Sequence, residues 1–236
     1  MRALAEAPQL LLNYSGIEYE YLMSWEHFED IWQNVKPKIP FQQLPMMEAD
    51  DGTQICQSIA ILQFIENRSG LSISDPIKAA EAMAILQSAQ ELFAPLNPTV
   101  NFATGDDFKA KRDGMREGLK NRFADLARCL EKYEGKYFID DTPRAAEFAC
   151  FHHLDLSRHL DPAILSSFPR LVQFVNDIES IKTVSSYLES RPKLVDVGVE
   201  PKLIIDGKAQ PTGVVCLLYT SPSPRDRTRS RMPSSA

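Results

Sequence analysis

The sequence predicts a small mixed α/β domain followed by a larger all-helical one. Three observations predict it. Strand-like alternation, and two short apolar runs around a turn, occur before residue 70. From Asp75 onward the apolar residues recur at helical spacing. The chain has 236 residues and is 44% apolar, enough to bury a core of that size.

The elements follow in order. Residues 3–15 (ALAEAPQLLLNYS) predict a first helix, with Leu10, Leu11 and Leu12 as its apolar side and Gly16 as its stop. Residues 17–22 (IEYEYL) alternate Ile17, Tyr19 and Tyr21 against Glu18 and Glu20, the period of a strand. A polar, aromatic stretch with Trp25 and Trp32 comes next. Residues 44–49 and 53–56 flank Asp50-Asp51-Gly52 and read as a hairpin. Residues 58–67 (SIAILQFIEN) read as a helix ending near Gly70. After that the strand signals stop. Asp75-Pro76 opens a helix, with Pro at its first position, that runs through AAEAMAILQSAQELFAPL. A second long helix covers roughly 107–133, and shorter ones lie near 145–159, 169–179 and 182–189. The expected domains are 1–72 and 75–200.

Bulk properties narrow the function. A quarter of the residues are charged and the net charge is -6, which suits neither a disordered chain nor a nucleic-acid binder. No apolar run is long enough for a bilayer, and no basic-then-apolar leader opens the chain. The four cysteines lie far apart without a CxxC, which fits free thiols in a reducing compartment. A cytoplasmic location is expected, with no membrane or nucleic-acid partner. Residues 214–236 are rich in Ser, Pro and Arg and read as a disordered or non-native tail.

Function concentrates between Trp32 and Ser58. Leu44-Pro45 precedes a strand, and a cis bond there would turn the backbone groups of Leu44 outward, toward an extended peptide. Gln57-Ser58 follows a short strand and opens a helix, so the hydroxyl and N–H of Ser58 are expected to face out as a carboxylate site. Trp32 and Lys36, with an indole N–H and a cation, suit a second carboxylate. A ligand with a carboxylate at each end and a peptide amide between them fits, and glutathione is such a ligand.

Trp-x3-Lys, then Gln-hydrophobic-Pro, then Gln-Ser before an apolar helix resembles the soluble glutathione transferases, closest to their sigma-like group. Here it reads WQNVKPKIPFQQLPMMEADDGTQICQSIAILQFI. RALAEAPQLLLNYSGIEYE, YFIDDTPRAAEFACFHHLDL and IKTVSSYLESRP extend the resemblance over roughly residues 2 to 192. It implies an α+β thioredoxin-like N-terminal domain plus an all-α C-terminal domain, in a homodimer. It implies that Trp32 and Lys36 bind the glycine carboxylate, that Gln43 and the backbone of Leu44-Pro45 bind the central peptide, and that Gln57 and Ser58 hold the γ-glutamyl end. An acidic residue of the partner subunit would reach the same amine, and Glu91 is the candidate. Glutathione would be co-substrate, with no metal, and the second substrate a small electrophilic or lipid-like molecule.

The sequence also departs from the pattern. The family activates the glutathione thiol with a Tyr hydroxyl at the end of the first strand, a few residues before the position that Arg2 matches. That position falls before Met1, so the first strand is expected to be missing and no catalytic residue is assigned. Tyr14, Tyr19 and Tyr21 fall elsewhere, and this chain is expected to be weak or inactive. Leu4 stands where a second Arg is common. Arg144 holds the first position of a helix capping box that is usually Ser or Thr, which leaves Thr142 as the expected cap. His152, His153 and His159 read as packing or surface residues, since no paired Cys or carboxylates accompany them at ligand spacing. Cys56 reads as a small apolar residue. The competing reading is a non-catalytic glutathione-binding or crystallin-like structural protein of the same fold, or an inactive fragment.

Overall fold

The computed structural model describes residues 3–23, 27–28, 30 and 32–212. Arg2, Trp25 and the 214–236 tail lie outside the described residues.

Helix α1 spans Glu6–Ser15 and ends at Gly16, whose φ of 64° closes the last turn onto the Asn13 and Leu12 carbonyls. Its Leu10 and Leu11 are fully buried. Residues 17–22, expected to be a strand, run on without strand structure. No strand pairs with them among the described residues, and alternation alone makes no ladder. Helix α2 (Trp32–Val35) leads into two 3₁₀ turns, Lys36–Lys38 and Pro40–Gln42.

The hairpin forms as expected. Strands β1 (Met46–Glu48) and β2 (Gln54–Cys56) pair antiparallel, Met47 opposite Ile55. Gly52 turns the chain at φ 82°, and the Asp51 carboxylate accepts from the Thr53 N–H at 2.9 Å. Helix α3 (Ser58–Arg68) follows and buries Ile61, Leu62 and Ile65.

Helix α4 (Pro76–Gln90) is capped by Asp75, which accepts from the Ile77 and Lys78 amides. The expected continuous helix is interrupted at Glu91-Leu92, and α5 (Phe93–Phe102) starts anew. Pro95 has no N–H to return to the Glu91 carbonyl, so the ladder cannot run through. Helix α6 covers Gly105–Leu130, α7 Ala145–Leu160, α8 Pro169–Glu179 and α9 Lys182–Ser190. Helix α7 is buried on nearly every side, including Phe148, Phe151 and Leu154, and forms the centre of the core.

Arg144 is the N-cap residue of α7, but a guanidinium offers no acceptor. Glu147 makes half of the capping box by accepting from the Arg144 N–H at 2.8 Å. The Ala145 N–H is taken by Glu66 of α3 at 3.0 Å. Thr142 is not the cap: its N–H goes to Asp140 and its carbonyl to Arg144.

Three strands after α9 were not read from the sequence. β3 (Lys193–Val195), β4 (Lys202–Ile205) and β5 (Lys208–Pro211) form an antiparallel sheet in order β3-β4-β5. Gly198, in the loop before β4, accepts from the Gly105 N–H at 2.8 Å and lies against the Phe108 ring.

Candidate functional site

The Trp32–Ser58 residues gather around the hairpin. Trp32 packs on a small cluster of Val35, Ile39 and Cys56, with Phe28 and Met46 beside it. The indole is therefore a half-buried wall, and it fixes α2 against β2. Lys36 is exposed one position beyond α2, and it shares a cavity of ≈ 360 Å³ with Pro37, Ile39, Phe41, Gln42 and Gln43. Phe41 and Gln42 both take left-handed backbone, φ 58° and 56°, and Phe41 is 73% exposed.

Leu44-Pro45 is cis and stands immediately before β1. The two chain segments of the site meet through their amides: Gln57 Nε2 donates to Gln43 Oε1 at 3.1 Å. Gln57 holds φ 74°, an unusual value for a residue with a side chain, at the N-cap of α3. That bend takes the chain from β2 into the helix and leaves the Gln57 side chain exposed.

Ser58 differs from expectation. It is buried rather than facing out, and its Oγ accepts from Gln90 Nε2 of α4 at 2.8 Å. Gln90 Oε1 in turn lies 2.9 Å from His153 Nε2 of α7. Burial pushes the His153 ring well below the usual histidine range, with the neighbouring His152 adding to the effect, so the ring is neutral. Sequence reasoning missed Gln90. Its signal was there: Gln90 lies four residues after Leu86, on the face of α4 that turns to the core.

Glu91 is exposed and forms an ion pair with Arg122 of α6. It is one residue beyond the Ser58 contact, but its carboxylate is directed to α6. The tyrosines are engaged elsewhere. Tyr14 packs on Phe148 with ring centroids 5.3 Å apart, and the Tyr19 hydroxyl accepts from Asn13 at 2.9 Å. Cys56 is buried, and burial raises its thiol pKa, so it is not an activated nucleophile. Among the described residues, no helix is long and apolar enough to cross a membrane.

Comparison with known proteins gives this arrangement its family. The model of the glutathione S-transferase N-terminal domain matches residues 1–67, and that of the C-terminal domain matches residues 95–191. The chain is 30% identical over 200 residues to hematopoietic prostaglandin D synthase of Gallus gallus, covering 82% of this chain and 94% of the relative. It is 28% identical to glutathione S-transferase Mu 1 of Macaca fascicularis, covering 80% and 88%. The solved glutathione S-transferase of Ascaris lumbricoides superposes with a TM-score of 0.68 at 25% identity, covering 82% of this chain and 94% of that one. By fold and by sequence over most of its length, the chain belongs to the glutathione S-transferase family.

Proposed function

We propose that the protein binds glutathione along the Lys36–Ser58 rim and transfers its thiolate to a small electrophile. The observation that carries this reading is the Gln43–Gln57 amide clasp, set between exposed Lys36 and the N-terminus of α3. The rim presents a cation at one side, amides in the middle and a helix N-terminus at the other. A tripeptide with a carboxylate at each end matches that order. Lys36 and Trp32 take the glycine carboxylate, the backbone of Leu44-Pro45 and Gln43 the central amide, and Gln57 and Ser58 the γ-glutamyl end. In the reaction the thiol loses its proton to solvent, its sulfur bonds to the electrophilic carbon, and the bond from that carbon to the leaving group breaks, the group departing with its electron pair.

The second substrate is a small electrophilic or lipid-like molecule; one relative is named for prostaglandin D synthesis. A second copy of the chain completes the site in this reading. Glu91 would approach the γ-glutamyl amine across that interface by exchanging its Arg122 partner. Phe41, 73% exposed beside the rim, is an apolar side chain that the second copy would cover. The location proposed is the cytoplasm.

Titration calorimetry with glutathione tests the site. Ser58→Ala removes a hydrogen bond to a charged group, which contributes ~1.5–3 kcal/mol, so affinity should fall by about tenfold or more. Lys36→Ala should weaken binding in a salt-dependent way. Conjugation to a generic aryl halide then measures transfer. No detectable glutathione binding by the purified chain, or unchanged affinity in both variants, would falsify the site.

A further inference from the structure

We propose that Gln90 is a positioning residue of the glutathione site, the middle member of a chain His153–Gln90–Ser58 that aims the Ser58 hydroxyl proton at the ligand carboxylate. The inference rests on the glutathione reading above and adds a residue to it.

Hydrogen-bond polarity sets the direction of the chain. The neutral His153 ring carries one proton. Its Nδ1 is buried with no hydrogen-bond partner among the described residues, whereas Nε2 faces an amide oxygen at 2.9 Å. Whichever way the amide faces, a proton on Nδ1 would bury an unpaired donor. The proton therefore sits on Nε2 and is donated to Gln90 Oε1. This fixes the amide of Gln90, so its NH₂ end points at Ser58 Oγ, 2.8 Å away. Ser58 then accepts on that side, and its own proton is left to donate. A carboxylate at the start of α3 needs such a donor. With the amide reversed, Ser58 would donate to Gln90 and turn only lone pairs toward the ligand.

The surroundings hold this polarity in place. Phe93 stands edge-on to the His153 ring at 6.4 Å between centroids, and the ring is buried in the helical core. The three residues come from α3, α4 and α7, so the orientation of a binding hydroxyl in the first domain is set by a histidine in the second.

A double-mutant cycle on the full chain tests this, read by calorimetry with glutathione. Gln90→Leu is expected to weaken binding by roughly three- to tenfold, in the range of coupling between contacting residues. In a Ser58→Ala background the same change is expected to have almost no effect, because the hydroxyl it acts through is gone. KM for glutathione should rise while kcat at saturation holds. Gln90→Met, closer in length and shape, carries the same cycle if the leucine variant does not fold. Nitrogen-15 spectra of labelled histidine should show His153 protonated at Nε2. Equal losses in both backgrounds, an unchanged affinity in a folded variant, or a proton on Nδ1 would each overturn the relay while the glutathione site stands. If wild type does not bind glutathione, or Ser58→Ala and Lys36→Ala both bind as wild type does, the site reading itself fails and takes the relay with it; an unchanged Ser58→Ala alone overturns the relay.

Discussion

Arg191→Met should be among the most destabilising single changes at a residue outside the site. The Arg191 side chain is 7% exposed and stands just beyond α9. One end of its guanidinium pairs with Glu6 of α1, and the other with Asp155 of α7 at 2.7 Å. Those carboxylates are nearly as buried, 6% and 8%. The consequences for them differ. Asp155 also holds Arg158 at 2.8 Å and would keep a cation. Among the described residues, Glu6 would keep only the Tyr187 hydroxyl, at 3.2 Å. Breaking a buried pair costs about 3–5 kcal/mol because a charge is left without its counterion. With one carboxylate still partnered, the lower end applies, about 3 kcal/mol. For a chain of this length that lowers Tm by roughly 6–12 °C. Urea and thermal unfolding followed by circular dichroism would measure it. Arg191→Met combined with Glu6→Gln removes the orphaned charge and should recover a good part of the loss. The reasoning fails if the single variant stays within about 1 kcal/mol of wild type, or if the double variant is no better than the single.

Four further outcomes follow from the packing. Burial pushes Glu147 up to about 7, outweighing the Arg144 and Phe138 amides that favour its charge. The unfolded chain releases that proton near ~4.3, so between the two values the native state holds more protons and stability falls as pH rises, by on the order of 3 kcal/mol. Urea midpoints at several pH values should show that slope, and Glu147→Gln should flatten it; parallel curves would contradict it. Gly198→Ala should cost about 1–3 kcal/mol, since φ is +79° and the new Cβ would lie 2.6 Å from the Phe108 ring. Gly114→Ala, mid-helix in α6 with open space around it, should instead stabilise by ~0.5–1 kcal/mol, so thermal shifts of the same sign would count against this account. Glu66→Ala should lower stability by about 1–2 kcal/mol by stranding the Ala145 N–H, and a neutral result in chemical denaturation would mean that amide finds another acceptor.

The helices were legible because each carries its own signals. Asp75-Pro76 announced α4, Gly16 stopped α1, and residues 169–179 matched α8 end to end. The first hairpin was legible from Asp51-Gly52. The last one carries a similar dipeptide, Asp206-Gly207, between Ile205 and Lys208, with φ of 49° and 74°. Val and Ile occur around it, but the strands of its sheet are three and four residues long, too short for alternation to show. The 17–22 segment failed the other way: alternation describes a face to be buried, but a ladder needs a neighbour. At the site, Trp32, Lys36, Gln43 and Gln57 were readable as local motifs along the chain. The inward turn of Ser58 was not, because its partner lies 32 residues away on another helix. No spacing rule joins Gln90 to Ser58, or the Arg122 cation to Glu91.

Glu66 has one more consequence. Its carboxylate closes the first amide of α7 across 79 residues of chain, and Arg144 reaches back to the Leu71 carbonyl at 2.9 Å. The opening turn of the central helix is therefore finished by the other domain. Neither half can fray there without uncovering the other, so the two should melt in one cooperative transition. The Ala145 amide becomes a reporter of that joint: its exchange with solvent should be as slow as that of the core, and should quicken whenever α3 lifts away.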